Sequence, residues 1–273
     1  MSDSWIVRNL RAIRGRAYPR VIGSLREPSW VFFDIALPLL TVAAYVYLYK
    51  FIDAPKEFVG FVILGGAMTA FWLNVLWAMA SQLYWEKETG NLSLFLVAPI
   101  SRMSILAGMA LGGMVVTTVR AISTVVIGVF AFSVVFSLTD PLALVVVFFV
   151  TLVALYGMGM MFASLYLLFG REAYHLSSLL MEPVYLASGF YFPVRYLGFW
   201  AAAGASIIPI TLGLDALRQI FFPSGSQDAF LPIWTEVLAL SVLCIAFLVL
   251  SKFSLDYMEK LGRTTGRLTL RWQ

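Results

Sequence analysis

The chain has 273 residues, of which 61% are hydrophobic and 12% charged, with a mean hydropathy of +0.88 and a formal net charge of +4. An ordinary soluble domain carries about 25% charged residues, so a water-soluble core of this size is excluded. The basic face that nucleic-acid binding needs on a soluble fold is missing, and a single cysteine, Cys244, excludes an internal disulfide.

Several stretches reach the roughly 20 apolar residues that take a helix across a bilayer. The expected fold class is all-α: a polytopic membrane protein with six transmembrane helices, an N-terminal amphipathic helix, and a re-entrant outer-side segment before the last helix. All of it falls in one transmembrane domain, residues 1–273.

Residues 4–26 come first. Ile6, Leu10, Ile13, Ala17 and Val21 recur at spacings of three and four, while Arg8, Arg11, Arg14, Arg16 and Arg20 largely take the other faces. That pattern predicts an amphipathic basic helix at the membrane surface. A secretory signal would instead have a short basic head and then an apolar run. The first span is expected over 30–49, with Asp34 near its start, where a carboxylate suits the helix dipole, and Pro38 inside it. The second, over 58–83, contains Gly65, Gly66, Asn74 and Gln82, so one face packs on protein or lines a pathway.

Residues 85–102 read WEKETGNLSLFLVAPISR. This is the longest polar-leaning interruption between two strongly apolar blocks. Its middle predicts a short amphipathic helix at 86–98, bounded by Gly90 and Pro99. Leu92, Phe95 and Leu96 are expected to face the bundle, and Glu86 and Glu88 to face water or a partner. A plain charged loop fits the spacing equally well.

The third span, over 103–136, is too long for one perpendicular crossing at 1.5 Å per residue. Its start is expected to protrude or bend near Gly108, Gly112 and Gly113, and the Gly108-x-x-x-Gly112 spacing permits close helix contact. Asp140-Pro141 marks a helix start. A fourth span follows at 142–168, then a tight Gly170-Arg171-Glu172 connection and a fifth span at 173–192. Residues 197–222 are apolar but broken by Gly198, Gly204, Pro209 and Gly213. The last span is expected at 233–251.

Charge orients these elements. With six spans, fourteen basic residues fall on one side: the six arginines before residue 27, Lys87, Arg102, Arg171 and the five of the C-terminal tail. Four fall on the other: Lys50, Lys56, Arg195 and Arg218. The positive-inside rule then puts both termini in the cytoplasm and the 85–102 element with them. A seventh crossing would send the basic tail outside, so 197–222 is expected to dip in and return or to lie as short helices on the outer side. Arg120 and Glu182 lie in the middle of spans three and five, where charge is costly, and a pair between them is expected. His175, the only histidine, reads as a hydrogen-bonded polar residue, and no metal-ligand cluster is present in the sequence.

The run Glu86-Lys87-Glu88-Thr89-Gly90-Asn91-Leu92, continuing to Leu96, Pro99, Ser101 and Arg102, resembles the signature of the ABC type-2 transporter permease family. There a glutamate, a basic residue, a second glutamate and a glycine open the cytoplasmic coupling helix between spans two and three. Ser93 stands where that family often has an acidic residue. Ile208-Pro209 through Asp215 and Arg218 resembles, loosely, the family's outer motif, and 188–194 resembles its turn after span five.

The resemblance implies an exporter permease subunit, not an enzyme, in the cell inner (plasma) membrane. It moves a hydrophobic or amphipathic compound, drug-like or lipid-linked, outward. The chain itself needs no cofactor. No Walker A loop is found in these residues, so ATP and Mg are expected on a separate ABC ATPase subunit present in two copies. A second permease copy, as a homodimer, completes the pathway, in contact with membrane lipid and without nucleic acid. Coupling falls to Glu86, Lys87, Glu88 and Gly90, with Arg14 or Arg16 as a latch. The pathway candidates are Asn74, Trp77, Gln82, Tyr185 and Phe190, for which ordinary helix packing is the alternative. A polysaccharide exporter of the same family, or an ATP-independent secondary transporter or channel, remains the alternative function.

Overall fold

The computed structural model describes residues 4–222 and 225–265. The tail beyond residue 265, with Arg267 and Arg271, lies outside the described residues, as do the side chains of Arg171 and Arg263. The architecture is all-α. Five helical stretches are long and apolar enough to cross a membrane: Val31–Phe51, Glu57–Glu88, Arg102–Phe132, Pro141–Leu167 and Ile233–Gly262. A bent pair near the C-terminus adds two shorter helices at 111° to each other.

In chain order, α1 is Trp5–Leu25 and α2 is Pro28–Phe51. α3, Glu57–Leu73, continues through a π turn at Asn74–Met79 toward α4, Gln82–Glu88. α5 is Leu92–Val97, α6 is Arg102–Phe132 and α7 is Pro141–Ala187. α8, Phe199–Ala205, and α9, Pro209–Phe221, form the bent pair, followed by α10, Gly225–Asp228, and α11, Ile233–Thr264.

α7 starts as its sequence dictates. Pro141 occupies the first turn, and the Asp140 carboxylate accepts hydrogen bonds from the Leu142 and Ala143 amides at 2.9 and 3.0 Å. The helix breaks at Gly170, whose φ of 33° and ψ of −99° are not helical. Beyond it the chain doubles back: Tyr166 and Ser177, eleven residues apart, join their hydroxyls. In a straight helix they would be about 16 Å apart. The second arm, 171–187, then runs from the level of Tyr84, beside Gly170, to the level of Gly65, beside Phe190. It is a helix of about 26 Å, shorter than the 173–192 expected, because Gly189 at φ +71° turns the chain.

α6 corrects another expectation. It is continuous from Arg102, does not bend at its glycines, and ends at Phe132, after which Ser133 takes a left-handed conformation. Residues 134–138 are not helical, and the Ser137 and Thr139 amides donate to the Phe221 and Ile220 carbonyls. The three glycines serve close approach instead. A Cβ on Gly108 would lie 2.6 Å from the Ile13 carbonyl oxygen, and one on Gly112 would lie 3.0 Å from that of Ala17. α1 therefore lies directly against α6.

The bundle has two distinct ends. At one sit α1, α4, α5, the Gly170 turn and the C-terminal part of α11, which Arg102 reaches by an ion pair to Glu259 at 2.8 Å. At the other sit the α2–α3 loop, residues 133–140, and the described parts of the returning segment, 188–222 and 225–232. There Arg218, 2% exposed, donates to the carbonyls of Phe61, Phe190 and Phe192 at 3.2–3.3 Å. α9 is buried along almost its whole length, with Gly213 tight against Thr151 of α7. A guanidinium whose two terminal nitrogens donate to three backbone carbonyls pins the returning segment to α3, which meets the need of irregular backbone to be buried against protein.

Candidate coupling site and membrane cavity

The 85–102 element is built differently from its expected single helix at 86–98. α4 carries span two on to Glu88, Gly90 turns the chain at φ +82°, and α5 begins only at Leu92. Leu92 is buried, and Phe95 and Leu96 pack on the core, as the spacing requires.

Glu86 departs from the sequence expectation. It is 7% exposed and forms an ion pair with Arg16 of α1. The same Arg16 lies over the Phe95 ring at 5.0 Å, so one guanidinium ties α1 to both α4 and α5. One turn earlier, Gln82 accepts from Arg20 at 2.9 Å and donates to Glu86 at 3.3 Å. Burial lowers the pKa of Arg20, although a guanidinium stays charged at any physiological pH. The reason for the changed face is local. The expected single helix at 86–98 is broken at Gly90, so Glu86 belongs to α4, at the end of span two, and not to the helix that carries Leu92, Phe95 and Leu96.

A third fastening was missed from sequence. The Asn9 carboxamide oxygen accepts from the Ser101 amide at 2.7 Å and the Ser104 hydroxyl at 2.9 Å. It thus holds the N-terminus of α6, and its own Nδ2 donates to Trp5 at 2.8 Å. The inward face of α1 is the Asn9, Ile13, Arg16, Ala17, Arg20 and Ser24 stripe, whereas Ile6 and Leu10 of the expected apolar face are exposed. Arg14 is exposed and Arg16 is the latch. Glu88 and Lys87 are half-buried. The element shows outward Trp85, Leu94 at 68% and Val97 at 87% exposure, with the polar Thr89, Asn91 and Ser93 beside them in sequence.

Arg120 does not meet Glu182. It forms an ion pair with Asp34 of α2 and donates to Ser24 of α1 at 2.9 Å. Asp34 is thus half of a charge pair within the bundle, which removes much of the cost of both groups. Glu182 lies elsewhere, on the wall of a cavity of about 500 Å³ between α2, α3 and the second arm of α7. Of the pathway candidates, Tyr185 lines that cavity. Asn74 accepts from Tyr156 at 2.9 Å inside the bundle, Gln82 belongs to the α1 latch, Phe190 is fully buried against Gly65, and Trp77 packs on the core. His175 is exposed. No group of acidic, histidine or cysteine side chains among the described residues is arranged to hold a metal ion.

Residues 20–222 match the family described as "ABC-2 type transporter". The chain belongs to the ABC-2 type transporter family. This ABC-2 permease is also 30% identical over 162 residues to the protein named "Probable multidrug ABC transporter permease YbhR" from Escherichia coli strain K12, and equally to its counterpart in strain O157:H7. The matched stretch covers 58% of the permease and 42% of each relative's own length. As an ABC-2 transporter it is a multi-pass membrane permease rather than an enzyme domain.

Proposed function

We propose that this chain is the membrane half of an exporter for hydrophobic or amphipathic compounds, driven by a separate ABC ATPase. The observation that carries the reading is the joint between α1 and the 85–102 element. α5 is six residues long and could not hold its position alone. Arg16 of α1 reaches Phe95 of α5 and Glu86 of α4, Arg20 holds Gln82 of α4, and Asn9 holds the start of α6, so a push on α5 is passed through α1 to α4 and α6. Its exposed Leu94 and Val97, with Trp85 of α4, lie at the arginine-rich end, where exposed large apolar side chains outside the bundle suit a protein partner. We assign that partner as the ATPase, two copies on two permease chains, each with its own ATP and Mg. Glu88 and Lys87 follow Trp85 on α4, and Arg14 is exposed on α1; charges of this kind orient a joint more than they strengthen it.

The arginine-rich end is then cytoplasmic by the positive-inside rule. α2, α3–α4, α6, the two arms of α7 and α11 make six crossings, so both termini share that side. The multidrug description of the E. coli relatives supports a drug-like cargo over a polysaccharide one. The test is purification of this chain from its own cells in mild detergent, with identification by mass of any co-purifying ABC ATPase. Leu94→Asp with Val97→Asp is expected to lose the ATPase and its stimulation while the permease stays folded. Retention of a fully stimulated ATPase by that double variant would contradict the docking role.

A further inference from the structure

The cavity beside Glu182 is an open groove on the side of the bundle, with Leu37, Glu182 and Leu186 exposed along it. Its walls are Leu37–Tyr45 of the stretch Val31–Phe51, Gly66–Leu73 of the stretch Glu57–Glu88, and the second arm of α7. Glu182 is exposed, is the one charged residue on the wall, and has no ion pair among the described residues. The cation expected to neutralise it, Arg120, is engaged by Asp34. An uncompensated carboxylate within a membrane-spanning arm is costly and marks a functional site.

The remaining walls favour one kind of guest. Tyr45 and Tyr191 stack with centroids 4.0 Å apart and planes 9° from parallel. The Tyr49 hydroxyl fixes the Tyr191 carbonyl at 2.9 Å, and Tyr185 packs on the buried Phe190 at 5.6 Å. The aromatic wall is therefore held by its surroundings rather than free to rotate away. Ring faces attract cations, and more strongly where water is excluded. A carboxylate beside them supplies the opposite charge. A neutral amphiphile gains only the apolar contacts, and an anion is repelled.

We propose that this cavity binds an amphipathic organic cation, with Glu182 as its counter-ion and Tyr45, Tyr185 and Tyr191 as its aromatic wall. Binding follows from the cavity alone. That the cation is also exported rests on the exporter reading above.

The test uses the full chain with its ATPase in lipid nanodiscs. Two probes of similar shape are compared, tetraphenylphosphonium and the neutral triphenylphosphine oxide. Glu182→Gln is expected to weaken tetraphenylphosphonium binding about tenfold or more, a loss of one charged contact, and to leave the neutral probe unchanged. Glu182→Asp, which keeps the charge, is expected to retain most of the affinity. Equal weakening of both probes by Glu182→Gln, or no preference for the cation in the unaltered protein, would overturn the proposal. ATP-driven uptake into inverted vesicles separates it from the exporter reading. Cation binding without uptake of either probe sinks export and leaves the site. Uptake of both probes at rates indifferent to Glu182→Gln sinks the site and leaves export.

Discussion

Replacing Glu86 with glutamine leaves the Arg16 guanidinium stacked on Phe95 without its anion. Removing one member of a well-buried pair costs about 3–5 kcal/mol, and since the Arg16 side chain is 27% exposed, a loss of about 2–3 kcal/mol is expected. Thermal unfolding in detergent, followed by fluorescence, measures it. Asp34→Asn strands Arg120 in the same way. Because the Asp34 side chain is 36% exposed, a smaller loss of about 1–2 kcal/mol is expected by the same measurement. The Ser24 hydroxyl continues to accept from Arg120 in that variant. Neither pair was legible in the sequence. Residues 16 and 86, or 34 and 120, are brought together by tertiary packing, and charge counting fixes a side of the membrane, not a partner. What the sequence did show was that Arg120 needed a partner at all.

Elements that depend on local chemistry were legible. Asp140-Pro141 starts α7, Gly170 turns it back, and Gly108-x-x-x-Gly112 admits a close neighbour, each for a reason confined to a few residues. The identity of that neighbour was not legible, because small residues permit contact without choosing it. It is α1. Gly108→Leu is expected to displace α1 from α6, because the added side chain starts 2.6 Å from the Ile13 carbonyl oxygen and neither backbone can yield without losing helix hydrogen bonds. Protease cutting at the exposed arginines of α1 should rise several-fold, while the rest of the bundle stays resistant. Unchanged cutting would mean that α1 is held elsewhere. The π turn at Asn74–Met79 is one feature that no spacing announced. The break at Gly90 is the other: it leaves Glu86 on α4, against α1, and so turned an expected partner contact into an internal latch.

At the scale of the whole molecule, the two ends do different work. One is sewn shut by Arg218, whose guanidinium ties α9 to the carbonyls of Phe61, Phe190 and Phe192. At the other, Arg16 joins α1 to α4 and α5, the joint proposed above to receive the ATPase. Hydropathy alone gave an all-helical membrane fold, and the family signature at 86–102 gave the place of this joint. The proposed coupling requires that Arg16 and Glu86 stay joined. ATP-driven uptake of a fluorescent amphiphile into inverted vesicles, with the ATPase co-expressed, tests this most directly across Glu86→Arg, Arg16→Glu and the two combined. Each single reversal should cut uptake at least tenfold by setting like charges together, and the double reversal should restore a large part of it. Uptake that persists in both single variants, or that runs without ATP, would contradict coupling through this joint.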